Sequence, residues 1–291
     1  MALFVDLGGV NYMDNEEIEI KVLMEAVRLR YGYDFSQYAG ASLTRRVKKC
    51  MSDAGVKNIS DMIPHIIHDK RFFSSFLYNL SVNVTEMFRD PKFFLSLRTK
   101  VMPYLKTFPF IKVWSVGVST GEEVYSLAIV LKEEGLYEKS LIYATDFNDI
   151  VLKTAQKGIY SGDDIKKSTL NYQRAGGKKS FGTYYHADYD SVIIDRSLKK
   201  NIVFANYNLA TDNVFGEMNL IFCRNVLIYF NKDLQERVLK LFKTSLCNHG
   251  FLCLGSRETI DFSDISYFFV PVVKKQRIFQ KKIKTCPGEK R

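Results

Sequence analysis

Residues 113–131, VWSVGVSTGEEVYSLAIVL, constrain the fold of this chain more than any other stretch. They begin apolar and β-prone at Val113, Trp114 and Val116. They pass through a small-residue turn from Gly117 to Glu123 and end in a nearly unbroken apolar run at helical spacing. Strand, tight turn and buried helix in that order open a βαβ unit. Gly117 and Gly121 let the backbone approach where a side chain would collide. Ser119 and Thr120 are N-cap candidates, and Glu122 and Glu123 fall where a helix N-terminus favours acid.

A turn that cradles phosphate needs glycine, backbone N–H groups and often lysine. This turn has two carboxylates and no basic residue. It therefore suits a ligand presenting a cation there, such as the ammonium or sulfonium of S-adenosylmethionine. A plain helix start with acidic capping residues reads the same way, so the turn alone leaves both open. The second strand, 141–146 (LIYATD), ends in an acid. Its spacing from the glycine turn is the one an α/β nucleotide fold uses to hold a ribose by its hydroxyls. Asp146 is expected at that strand end; the competing role is the N-cap of a helix over 150–157.

The chain has 291 residues, 46% of them hydrophobic, enough for one large or two modest domains. A formal net charge of +10 favours an acidic partner: nucleic acid, an anionic membrane or an acidic protein surface. The five cysteines are scattered, with no CxxC pair. That pattern predicts a reduced, cytoplasmic protein without a metal site. The first ten residues, MALFVDLGGV, lack the basic start of a signal peptide, and no apolar run is long enough to span a bilayer. No membrane insertion is expected.

Helical patterning runs through residues 16–110, and a helical N-terminal domain is predicted over 16–90. Its sequence TRRVKKC clusters Arg45, Arg46, Lys48 and Lys49 within about one and a half turns, a solvated face or a docking surface for an acidic partner. In the next stretch, NVTEMFRDP, Pro91 fits a helix start with Asp90 as its cap. Residues 161–201 change character and predict a small antiparallel insertion. A buried strand over 219–223 is followed by Arg224 and Asn225, on the ligand face of an open α/β sheet. A helix is expected over 233–246, then a strand over 251–254. Residues 285–291 form a basic tail.

Taken in order, NVTEMFRDP, VWSVGVSTGEEVYSLA, YATDFN, NYNLA, FCRNVLIYF and GSRETI resemble the chemotaxis receptor methyltransferase family over roughly residues 16–283. The resemblance implies an all-α N-terminal domain and an α/β, Rossmann-like methyltransferase domain over 91–284, with a β-subdomain inserted at 161–201. It implies S-adenosylmethionine as cofactor, S-adenosylhomocysteine as product and glutamate side chains of chemoreceptors as acceptors. Carried over by motif, Asn83, Thr85, Arg89, Gly117, Glu123, Asp146, Asn208, Leu209, Arg224 and Asn225 would contact the cofactor. Arg89 and Tyr229 would act at the reaction centre. Met87, Val118 and Val124 stand where the family usually has an aromatic, a smaller residue and a proline; none of these departures removes a polar contact.

The implied partner is the acidic, helical methylation region of a receptor, with Arg45, Arg46, Lys48 and Lys49 as a docking face. In some members the β-subdomain grips a receptor tether peptide. A monomer is expected. Two other readings compete. A nucleic-acid methyltransferase would also explain the charge, but Asn225-Val-Leu-Ile does not supply a target-base motif. A cofactor-binding scaffold without turnover is the other, and intact Arg89 and Tyr229 speak against it.

Overall fold

The computed structural model describes residues 13–81, 85–214 and 216–283. Asn83 and the expected tail at 285–291 lie outside the described residues. The chain divides into two compact units, Met1–Leu80 and Ser81–Arg291. The division thus falls at Leu80 rather than at residue 90. The physical reason is the burial of Met87 and Phe88, whose cluster belongs to the second unit.

The first unit is all helix: α1 (Asn15–Tyr31), α2 (Gly40–Ala54), α3 (Met62–His68) and α4 (Lys70–Leu80). Asp14 caps α1 through the Glu17 N–H at 2.7 Å, and Gly32 ends it in the left-handed region. The apolar stripes predicted by spacing meet in a core of Leu23, Val27, Val47, Met62, Ile66 and Phe76. The basic run of α2 is divided by its surroundings. Arg46 donates to the Leu80 carbonyl that ends α4 and to Ser42 Oγ. Lys48 pairs with Glu16 at 2.8 Å. Arg45 and Lys49 are exposed.

The second unit begins with a kinked helical segment, α5 (Pro91–Ser96), a π turn at Leu97–Val101 and α6 (Met102–Leu105). The α/β part follows as β1 (Ile111–Val116), α7 (Glu122–Glu133), β2 (Ser140–Asp146) and α8 (Asp149–Lys157). The insertion holds β3 (Ile159–Ser161), α9 (Gly162–Arg174), β4 (Tyr185–Asp188) and β5 (Ser191–Ile194). The chain closes with β6 (Ile202–Asn206), β7 (Met218–Cys223), α10 (Lys232–Ser245), β8 (Leu246–Leu254), β9 (Phe269–Val273) and β10 (Ile278–Lys281). The large sheet has the order β6-β2-β1-β7-β8-β10-β9, parallel from β6 to β8, with β10 antiparallel to both of its neighbours. The small sheet, β3-β5-β4, is antiparallel. This is the Rossmann-like architecture with a small antiparallel sheet that the resemblance implied.

Four local readings differ from the structure. Pro91 opens α5 as predicted, but Asp90 makes no cap bond; its backbone is left-handed and its carboxylate is drawn to Arg224. Gly121, not Ser119 or Thr120, occupies the N-cap of α7. At φ 98° and with Ala155 Cβ only 2.8 Å from where a Cβ would stand, only glycine fits there. The insertion contains the thirteen-residue α9, which its polar composition concealed. Finally, residues 248–250, which looked like the end of α10, lie within β8, where Leu246 pairs with Met218 of β7, Lys281 takes the Leu246 carbonyl and Gln280 the His249 carbonyl.

Candidate functional site

In the large sheet the chain runs outward from β1 to β2 and β6 on one side, and to β7 and β8 on the other. The order reverses between β1 and β7, and the crevice at their carboxyl ends is where open α/β sheets take ligands. Gly117 follows β1 there, and Arg224 and Asn225 follow β7. A Cβ on Gly117 would stand 2.5 Å from Val226 Cγ2, and its φ of 66° is strained for any side chain. The close approach of these two loops fixes the crevice.

Arg224 organises the floor. Its side chain is 1% exposed and its guanidinium lies 4.1 Å above the Phe93 ring. It pairs with Glu123 of α7, with Asp90 at 2.6 Å and with the Arg89 carbonyl at 3.4 Å. Three distant segments, 89–90, the start of α7 and the end of β7, are thereby tied to one cation. Burial pushes the Glu123 carboxyl upward, while Arg224 and then Arg89 pull it back. Arg224 Nε is a buried donor without a hydrogen-bond partner in the described structure.

Asp146 ends β2 as expected and does not cap α8, whose N-cap is Asn148. Its two carboxylate oxygens accept the N–H groups of Ser119 at 2.9 Å and Asn148 at 3.0 Å. Burial raises its pKa to about 6 against the lowering effect of those bonds. A carboxylate has roughly four acceptor positions, so capacity remains for ligand hydroxyls. A nucleoside with a cationic tail fits this set of groups: an acid for hydroxyls at β2 and the Glu123 carboxylate for a cation, with Arg224 already paired to Glu123 and Asp90.

The family described as "CheR methyltransferase, SAM binding domain" matches residues 83–274, and "CheR methyltransferase, all-alpha domain" matches residues 18–81. The chain belongs to the CheR methyltransferase family. A Pseudomonas putida protein named "Putative methyltransferase Cher3" is 51% identical over 92% of this chain and 98% of its own length. "Chemotaxis protein methyltransferase" of Borreliella burgdorferi is 28% identical over 89% of this chain and 94% of that protein. The protein of the same name from Salmonella typhimurium is 34% identical over 66% of this chain and 65% of that protein.

In this CheR methyltransferase Asn208, Leu209 and Tyr229 follow the ends of strands on the same edge. Asn208 and Leu209 follow β6, beside the end of β2; the Asn208 N–H donates to Asp212 and its side-chain oxygen accepts from Ala210. Leu209 is buried. Thr85 and Arg89 are half-buried in the segment leading to α5. That segment is anchored by the Phe88 N–H donating to Ser126 Oγ at 2.9 Å and by left-handed backbone at Phe88 and Asp90. Tyr229 is half-buried in the short helical turn Leu227–Tyr229 after β7.

One residue was read in the sequence merely as part of a turn. Glu258 is 4% exposed, and its carboxylate accepts four N–H groups: Gly255 at 2.6 Å, Asn225 at 3.0 Å, and Val226 and Leu227 at 2.8 Å each. Burial raises its pKa and the four bonds oppose that rise. It holds the 225–227 loop, including the left-handed Asn225. Its signal was available in the motif GSRETI: an acid three residues after the glycine that follows a strand. Among the described residues no group of His, Cys, Asp and Glu is arranged to hold a metal ion. Likewise no described helix is long and apolar enough to cross a membrane.

Proposed function

We propose that this methyltransferase esterifies glutamate side chains of chemoreceptors, and so tunes a chemotaxis signalling array. The observation that carries the reading is the family match along nearly all of both units, with full-length relatives bearing the name chemotaxis protein methyltransferase. When bound, S-adenosylmethionine supplies an electrophilic methyl group on a sulfonium and departs as S-adenosylhomocysteine. Asp146 would hold its ribose hydroxyls, Asn208 and Leu209 would face the adenine side, and Gly117 and Asn225 would let backbone approach the nucleoside. Glu123 would take the ammonium. Thr85, and Asn83 in the same motif, would lie along the amino-acid end. Arg224 would fix Glu123 and the 89–90 segment.

At the reaction centre, Tyr229 would hydrogen-bond the incoming carboxylate, and Arg89 would face a carboxylate rather than the sulfonium, which would repel it. The acceptor needs no general base. A glutamate with an ordinary pKa of about 4.3 is already ionised at neutral pH, so its oxygen forms the new carbon–oxygen bond without losing a proton. What the chain's residues contribute is alignment and exclusion of water. A lysine acceptor, with a pKa of about 10.4, would need a base or a desolvating pocket to lose its proton.

The test uses receptor-containing membranes and cofactor with a labelled methyl group. A glutamate methyl ester releases volatile methanol on brief alkaline treatment. Label that stays on the protein rejects the carboxylate acceptor. Exposed Arg45 and Lys49 on α2 would steer the receptor, and the β3-β5-β4 sheet would hold a tether peptide in receptors that carry one.

A further inference from the structure

Strand register brings a second basic surface to the catalytic edge of the sheet. β8 runs parallel to β7 and ends at Leu254 beside Cys223. β10 runs antiparallel to β8 and begins at Ile278 beside Cys253. The loop leaving β8 and the turn entering β10 therefore emerge at the same edge as Arg224 and Asn225. The Leu254 N–H donates to the Arg277 carbonyl at 3.1 Å, which joins the two. Residues 274–276 also pack against α5, the helix that carries Phe93 under Arg224.

Four exposed cations stand on these elements: Lys92 on α5, Arg257 after β8, and Lys274 and Lys275 before β10. None of the four has an ion pair among the described residues. The neighbouring charges are committed elsewhere. Asp90 and Glu123 pair with Arg224, Arg277 with Asp261 at 3.5 Å, and Asp264 with Lys240 at 2.7 Å. Glu258 is held by its four amides. Beside Asp261, Phe262 is 98% exposed. An uncompensated cationic rim with an apolar anchor on it is complementary to a helix that carries acids along the flanks of an apolar stripe.

We infer that Lys92, Arg257, Lys274 and Lys275, with Phe262, form a substrate rim that binds the acidic amphipathic helix around the acceptor glutamate. The inference rests on the glutamate-acceptor reading. Its chemistry is distinct from docking on α2: the rim sits on the catalytic unit itself and would present the acceptor to the crevice. An acidic helix satisfies both the cations and Phe262, whereas a phosphodiester chain would use only the cations.

The test titrates the full chain into a fluorescein-labelled synthetic helical peptide rich in Glu, Ala and Leu, read by anisotropy. K274E/K275E should weaken peptide binding about tenfold, since two attractive charges become repulsive. It should also flatten the salt dependence and leave affinity for S-adenosylhomocysteine unchanged. F262A should weaken the peptide severalfold without changing the salt slope. K274Q/K275Q, checked for an unaltered thermal transition, separates lost binding from lost folding and should weaken the peptide to a smaller degree. Peptide affinity within twofold of the parent in all three variants overturns the proposal. So does a single-stranded oligonucleotide of equal charge that binds tighter than the peptide and is the only ligand lost in K274E/K275E. Alkali-stable methyl label in the receptor assay would remove the glutamate reading while leaving the peptide result to judge the rim.

Discussion

At the residue scale the candidate site holds two buried charges. Asp146 carries a pKa raised to about 6 by burial, above its ordinary value. The folded chain therefore holds that proton more tightly than the unfolded chain. Stability from this source is present below the ordinary carboxylate pKa and is lost as pH rises toward about 6. In the proposed binding mode, ligand binding runs the other way, because the charged form is the better acceptor for ribose hydroxyls. Affinity for S-adenosylhomocysteine, measured by calorimetry across pH, should fall as pH drops through that region. Asp146→Asn should flatten the profile and cost about ten- to hundredfold in affinity, the equivalent of about 1.5–3 kcal/mol for a charged hydrogen bond. An unaltered profile in the folded variant would take Asp146 out of the site.

Arg224 is the second case. Arg224→Met keeps most of the volume over Phe93 but strands Glu123. Removing one partner of a buried pair costs about 3–5 kcal/mol. Asp90 is 43% exposed and can be solvated, so the lower end, about 3 kcal/mol, is expected here. A chemical-denaturation midpoint close to that of the parent would show that the network contributes little to folding. The cofactor affinity of Arg224→Met should fall as well, since Glu123 and the 89–90 segment lose their common anchor.

At the scale of elements, the candidate site is made of loops that hold one another. Gly117 packs on Val226, Val226 donates its N–H to Glu258, and Glu258 returns to Gly255. A carboxylate suits four N–H donors because it has only acceptors; an amide would turn two hydrogens toward them. Glu258→Gln is therefore expected to lower stability by about 2–3 kcal/mol, the cost of leaving buried donors unmet. Because Tyr229 follows the same loop, turnover should drop more than cofactor affinity. Thermal unfolding together with a comparison of kcat and cofactor Kd checks both statements; a stable variant with full activity would reduce Glu258 to an incidental turn residue.

At the scale of the whole molecule, charge has to be separated into what folds the protein and what meets a partner. Arg46 and Lys48 of the α2 cluster have intramolecular partners, and Arg45 and Lys49 are exposed. Reversing Arg45 and Lys49 should raise KM for receptor several-fold and weaken its salt dependence, since surface fields are screened within about 8–10 Å at physiological salt. Reversing Arg46 should instead lower the melting temperature, because the last carbonyl of α4 loses its donor. A KM unaffected by the first change would place receptor docking elsewhere.

The sequence by itself determined the periodic elements and their order. The strand–turn–helix at 113–131, the acid ending β2 and the pair Arg224-Asn225 after β7 could be read because apolar spacing and turn residues are local signals. The helices of the first unit were legible for the same reason. Local signals also misled. Asp90 looked like a cap because it precedes a proline that opens a helix, and polar α9 was read into an antiparallel insertion. What only the tertiary structure decided was the pairing of distant charges. Arg224 takes Asp90 from its cap and Glu123 from its helix start, and Glu258 gathers amides from a loop more than thirty residues away. The order of the strands did this: it set β7 between β1 and β8, and burial then made Glu123 and Glu258 find partners.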